Sequence, residues 1–271
     1  MAVPSKKRGA ATALVALLAW GSAGAQTPPD TDDLAAAEEH RLLPDIEAYY
    51  TAPLHWDATD WSYFGGVLAA LGVADHFDSQ VRAHFTQGSH DALAGGDPDE
   101  LQDALPAAAA LVGTWMVATL FDDRDAQTVA WAMTEAAGLS LSTGLVLKYA
   151  GGRERPNQTT DPNLWFRGGS SFPSLHSTAA FAVGTVFAES GEGDYRWLTR
   201  LVGYGLAVFT GYERLKHNEH WLSDVFAGAA VGTSTGAFIV QRTFGGNVFS
   251  GFQIVPIERG VMISYSASLS P

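Results

Sequence analysis

The chain contains no cysteine among its 271 residues. Disulfide cross-links and thiolate metal ligands are therefore excluded. Cations are scarce as well: 16 Lys and Arg stand against 29 Asp and Glu, a formal net charge of −13. That balance argues against nucleic-acid binding and against docking on anionic lipid through basic patches. Long hydrophobic runs are missing too. The uninterrupted apolar stretches mostly fall short of the ~20 residues that a membrane span needs, and Asp75, Asp78, Glu135 and Glu189 interrupt them. No phosphate-cradling glycine loop, no zincin helix motif and no carboxylate-rich metal cluster occurs. The expectation is a site without metal or cofactor. No internal repeat is evident.

What is present fits one domain with small additions. Hydrophobic residues make up 46% of the chain, enough for a substantial core, while the mean hydropathy is only +0.03. Residues 1–25 read as a secretory signal peptide: Lys6, Lys7 and Arg8 start it, a short apolar run follows, and Ala23-Gly24-Ala25 supplies the cleavage site. Residues 26–56 form an acidic, Pro-bearing leader expected to be flexible, with room for one short helix. His40 and His55 lie in it without partners at ligand spacing and read as exposed. Residues 57–244 carry six helical segments. Asp57 or Thr59 caps the first, Asp97-Pro98 opens the second, and Asp122, Asp123 and Asp125 open the third, which stops at Gly151-Gly152. A fourth starts at Ser174, a fifth spans Tyr195–Tyr212, and the sixth starts near Asn218. Gly228, Ala229, Ala230 and Gly232 in the sixth imply close helix packing. Residues 245–271 change character and read as a short C-terminal β-hairpin. The expected fold is an all-α, six-helix bundle with that hairpin appended.

Polar residues gather in three places between Lys148 and Asp224. Lys148 precedes Arg155-Pro156 by six residues; Pro173-Ser174-Leu175-His176 follows; Arg214, His220 and Asp224 close the set. Three cations, two histidines, a serine and an aspartate suit a phosphate site that works without a metal. The cations hold the equatorial oxygens, one imidazole attacks phosphorus, the other handles the leaving-group proton, and the carboxylate orients the attacking ring. Lys148 sits on a last helical turn, where it would also complement the dipole. Ser174 starts a helix, so it reads both as an N-cap and as part of an anion site. His176, in that helix's first turn, faces the positive end of the dipole. His220 and Asp224, four apart, share a helical face in this reading. Arg153, Arg167 and Lys216 read as ordinary surface charge, and His217 as non-catalytic. The loop from Asn157 to Ser171 is either a connector or a substrate-selecting rim with Trp165 and Phe166 as contacts.

These clusters resemble the signature of the type 2 phosphatidic acid phosphatase (PAP2) family, which includes bacterial acid phosphatases and vanadium haloperoxidases. The family pattern K-x6-RP, PSGH, SR-x5-H-x3-D is met in order through Lys148, Arg155, Pro156, Pro173, Ser174, His176, Arg214, His220 and Asp224. Leu175 replaces the usual Gly, as in lipid-headgroup-transfer members, and Glu213 replaces the usual Ser. The resemblance implies a metal-independent phosphatase acting on phosphate monoesters, lipid phosphates or diphosphates among them. His220 would be the nucleophile, His176 the acid and base, and Asp224 the orienting carboxylate. Lys148, Arg155, Ser174, Leu175 and Arg214 would bind phosphate. Two alternatives stay open: a haloperoxidase holding vanadate as prosthetic group, and a non-catalytic envelope or lipid-binding bundle. The implied partner is a phosphorylated small molecule or lipid, with no nucleic acid and with peripheral membrane contact open. The expected location is the periplasm or cell envelope, with an integral membrane protein as the rival.

Overall fold

A computed structural model describes residues 42–87, 100–191, 196–246, 248, 252–257 and 260–265. The expected signal peptide, His40, and the Asp97-Pro98 helix start lie outside them. The described residues hold seven α-helices, not six. They are α1 (42–51), α2 (Ala58–Thr86), α3 (Glu100–Leu120), α4 (Arg124–Gly151), α5 (Leu175–Ser190), α6 (Arg196–Lys216) and α7 (Leu222–Phe244). The additional helix is α1, in the acidic leader. Its acidic character conceals a docking face. Asp45 is buried and ion-paired with Arg242 of α7. The Tyr49 hydroxyl lies 2.8 Å from Thr235 Oγ1, and the Tyr49 ring meets Phe238 edge-on, centroids 5.4 Å apart.

Local chemistry sets the helix ends. Asp57 caps α2, accepting from the N–H groups of Thr59 (2.7 Å) and Asp60 (3.0 Å), while Asp60 returns a bond to the Asp57 N–H. Asp123 caps α4. Gly152 stops α4 at φ 51°, a left-handed conformation that glycine adopts without the Cβ penalty.

The short helix α5 is central, packed by α3, α4, α6 and α7. Buried Val129, Met133, Ala136 and Leu139 of α4 join Val183, Val186 and Phe187 of α5 and Ile239 and Val240 of α7 in the core. Contact between α5 and α7 depends on a row of small residues, Gly228, Gly232 and Gly236. A Cβ on Gly232 would stand 2.3 Å from the Thr178 carbonyl oxygen, so the two backbones touch. The outer faces stay apolar in places: Trp61, Leu68 and Val73 of α2, Val112 and Met116 of α3, and Leu201, Val208 and Phe209 of α6 are exposed. Among the described residues one helix, α7, is long and apolar enough to cross a membrane, and most of it is buried inside the bundle. After α7, strands β1 (Phe252–Ile257) and β2 (Gly260–Tyr265) pair antiparallel, Phe252 opposite Tyr265.

Candidate active site

The three polar clusters meet at the end of the bundle where α4 finishes and α5 and α7 begin. The Ser174 N–H donates to the Asp224 carbonyl at 3.0 Å, which fastens the start of α5 to the first turn of α7. Lys148, on the last turn of α4, donates to the Ser170 carbonyl. Arg155 reaches the same serine: its Nε donates to Ser170 Oγ at 3.3 Å. Arg214 is buried on the last turn of α6, with one guanidinium nitrogen 3.5 Å from His176 Nδ1. His176 is half-buried in the first turn of α5. Ser174 is buried as the N-cap of α5, and its Oγ accepts from the Ser177 hydroxyl at 3.1 Å. The first-turn N–H groups of α5 have no intrahelical acceptor. Leu175 is half-buried and leans on α4, its Cδ2 resting where a Cβ on Gly144 would be 2.7 Å away.

His220 and Asp224 face each other differently from a pair on one helix. The helix α7 begins at Leu222, not near Asn218. Asn218 instead takes a left-handed turn at φ 55°, and the Trp221 N–H donates to Asp224 Oδ2 at 2.9 Å. His220 therefore lies ahead of the helix and folds back over its first turn. Its Nδ1 is buried and stands 3.6 Å from Asp224 Oδ2, which leaves Nε2 as the nitrogen directed away from the carboxylate. Burial pulls the His220 pKa down to about 4, helped by the positive charges of Arg155 and Lys148 and opposed by Asp224. The ring is thus neutral near pH 7, with a lone pair available. Burial pushes the Asp224 carboxyl up, but His220, Arg153 and the Ser171 hydroxyl together hold it below the usual carboxylate range.

Four supporting residues escaped the sequence reading. Arg153, read there as surface charge, is 0% exposed. It donates at 2.7 Å each to Asp224 Oδ1, Asp78 Oδ2, Ser223 Oγ and the Pro162 carbonyl, with its guanidinium carbon 4.5 Å above the Trp165 ring. Its place inside the six-residue spacer between Lys148 and Arg155, just after two glycines, was the available signal. Asp78 of α2 accepts from the Ser223 N–H at 2.8 Å and its hydroxyl at 2.6 Å. Burial pushes its carboxyl up in spite of those bonds. A carboxylate interrupting an apolar helix pattern hinted at this. Ser171 donates to Asp224 Oδ2 at 2.5 Å. Glu219, also buried, accepts from Arg155 at 2.7 Å and lies 3.4 Å from Arg214, so it ties the two guanidiniums together. Lys216 and Arg167 are exposed as expected, and His217 pairs with Glu213 at 3.5 Å. Among the described residues no group of three or more His, Asp or Glu side chains is placed to share a metal ion.

The fold gathers guanidiniums, an ammonium, a helix N-terminus and two imidazoles at one end of a helical bundle. Residues 129–246, which contain all of these groups, match the PAP2 superfamily. Over somewhat less than half of its length the chain resembles that superfamily. It is also similar to the lipid A 1-phosphatase of Porphyromonas gingivalis, 34% identical over 143 residues, or 51% of this chain. The similar segment spans 30% of that protein's length. No solved structure matches the chain.

Proposed function

We propose that this protein is a metal-independent phosphatase of the cell envelope that removes a phosphate monoester from an apolar carrier, a lipid phosphate. The observation that carries the reading is the convergence of His220, His176, Lys148, Arg155 and Arg214 on one end of the bundle, with His220 held neutral by burial. The family relation and the likeness to a lipid A 1-phosphatase support the lipid class. The N-terminal Lys6 to Ala25 pattern supports export.

The proposed reaction has two halves. His220 Nε2 attacks phosphorus in line, forming an N–P bond as the bond to the leaving oxygen breaks. His176 gives its proton to that oxygen, and the alcohol departs. Proton sharing between His220 Nδ1 and Asp224 offsets the positive charge gained by the ring. His176, now neutral, takes a proton from water; the water oxygen attacks phosphorus as the N–P bond breaks, inorganic phosphate leaves, and His220 Nε2 recovers its lone pair. Lys148, Arg155, Arg214 and the N–H groups at the start of α5, those of Leu175 and His176, spread the charge of the transferring group.

Phosphate release should be measured across glycerol 3-phosphate, dissolved and vesicle-borne phosphatidic acid, a nucleotide and a sugar phosphate, each with and without EDTA. Release favouring the lipid phosphates and unchanged by EDTA supports the proposal. Activity abolished by chelation and restored by a divalent cation refutes the metal-independent mechanism. No release from any lipid phosphate refutes the substrate class.

A further inference from the structure

The loop between Arg155 and Ser174 is attached at two ends that have different characters. Its C-terminal end is part of the site: Ser170 touches Lys148 and Arg155, and Ser171 touches Asp224. Its middle is fixed to α4 and to Arg153. The Phe166 N–H donates to the Gly151 carbonyl and the Arg167 N–H to the Gly152 carbonyl, both at 2.9 Å. Trp165 stacks on Arg153, and the Pro162 and Leu164 carbonyls accept from Arg153 and the Glu154 N–H. Between these ties Phe166 stands at φ 59° and 81% exposed.

That combination is doubly unfavourable for the free protein. A bulky residue in the left-handed region is strained, and an aromatic ring in water forgoes its burial energy. Glycine or asparagine would satisfy the turn better. Strain retained where an easier residue exists points to a use for the side chain. Ser170 follows Phe166 by four positions, so their backbones lie within ~14 Å of each other at full extension. Tyr149, directly after Lys148, is likewise exposed, at 86%.

We infer that Phe166 is a specificity-determining contact for the hydrocarbon of the phosphorylated substrate, held outward beside the phosphate seat by the rigid loop. The occupant is the substrate's own apolar chain, continuous with the phosphate bound by Lys148 and Arg155. The inference rests on the lipid phosphate reading proposed above and adds the residue that recognises the lipid portion. A Phe166 ring covered by hydrocarbon is worth roughly tenfold in relative kcat/KM.

The test compares kcat/KM for a short-chain phosphatidic acid, dissolved as monomer, with that for glycerol 3-phosphate, which has the same headgroup and no chains. Phe166→Asn accepts the turn and removes the ring; its melting temperature should equal or exceed that of the wild type. Its ratio of acylated to unacylated kcat/KM should fall about tenfold. Phe166→Leu keeps an apolar side chain and should hold the ratio within about twofold of the wild type. An unchanged ratio in Phe166→Asn overturns the inference, as does a loss seen with vesicle-borne substrate alone, which would make Phe166 a membrane contact instead. A wild-type enzyme that shows no preference for the acylated phosphate would instead remove the lipid reading beneath it.

Discussion

Replacing Arg153 by Gln probes the support beneath the His220–Asp224 pair. The guanidinium is fully buried and lies between two buried carboxylates, Asp78 and Asp224, at 2.7 Å from each. Glutamine keeps some of the volume and can satisfy the Pro162 carbonyl, but it leaves two negative charges in a dry pocket with no cation between them. Removing one partner of a buried ion pair destabilises by ~3–5 kcal/mol. At ~2–4 °C per kcal/mol for a domain of this size, the melting temperature should drop by roughly 6–20 °C. Adding Asp78→Asn to Arg153→Gln should recover part of that loss, because one stranded charge is removed. In whatever fraction folds, kcat should suffer more than KM, since Asp224 loses its orientation while Lys148, Arg155 and Arg214, the cations proposed to hold phosphate, are untouched. Thermal unfolding of the wild type, the two single variants and the double variant is the assay. A melting temperature for Arg153→Gln within ~2 °C of the wild type would refute the reasoning.

Other consequences concern pH, charge and packing. His220 falls from an ordinary 6.5 to about 4 on folding, so between those values the unfolded chain takes up a proton that the folded one refuses. Stability should therefore decline as pH drops from 6.5 to 4, by about 3 kcal/mol from this group, and His220→Asn should flatten that part of a denaturation–pH curve. Glu219 pairs with Arg155 and Arg214; if those guanidiniums hold phosphate as proposed, Glu219→Gln should lower the inhibition constant for orthophosphate by about tenfold, a fraction of the ~4 kcal/mol between close charges at intermediate dielectric; an unchanged or higher constant would contradict that role. Gly232→Ala should lose at least ~1–3 kcal/mol in chemical denaturation, because its Cβ would meet the Thr178 carbonyl at 2.3 Å.

The residues that the fold brings together at this end of the bundle were legible as a set because their spacing is local. Lys148 to Arg155, Ser174 to His176 and Arg214 to Asp224 are short segments whose residue types already suit an anion. The capping signals at Asp57 and Gly152 were equally readable, since each depends on a few neighbouring residues. The support was not. Asp78 meets Ser223 across 145 residues, and nothing local distinguishes a carboxylate buried against Arg153 from one in solvent. Arg153 was misread for the same reason. The start of α7 was misplaced because Asn218 is a good cap by type, whereas the Asp224 carboxylate binds the Trp221 N–H and draws the helix start to Leu222. A short helix in the leader was allowed for, but its docking was hidden, since the Asp45–Arg242 pair joins segments 197 residues apart.

Rapid-quench trapping with 32P-labelled substrate tests the central claim most directly. Wild type and His176→Ala are mixed with an alkyl phosphate and with p-nitrophenyl phosphate, and acid-labile, base-stable phosphoprotein is counted. His220→Ala should form none and should lose nearly all turnover on both substrates. His176→Ala should lose roughly 10²–10⁴-fold in phosphoryl transfer from the alkyl phosphate, whose leaving oxygen needs a proton. It should lose distinctly less on p-nitrophenyl phosphate, and there it should accumulate phosphohistidine, because water is no longer activated. Equal losses on the two leaving groups, with no trapped phosphoenzyme in wild type or His176→Ala, would contradict the account.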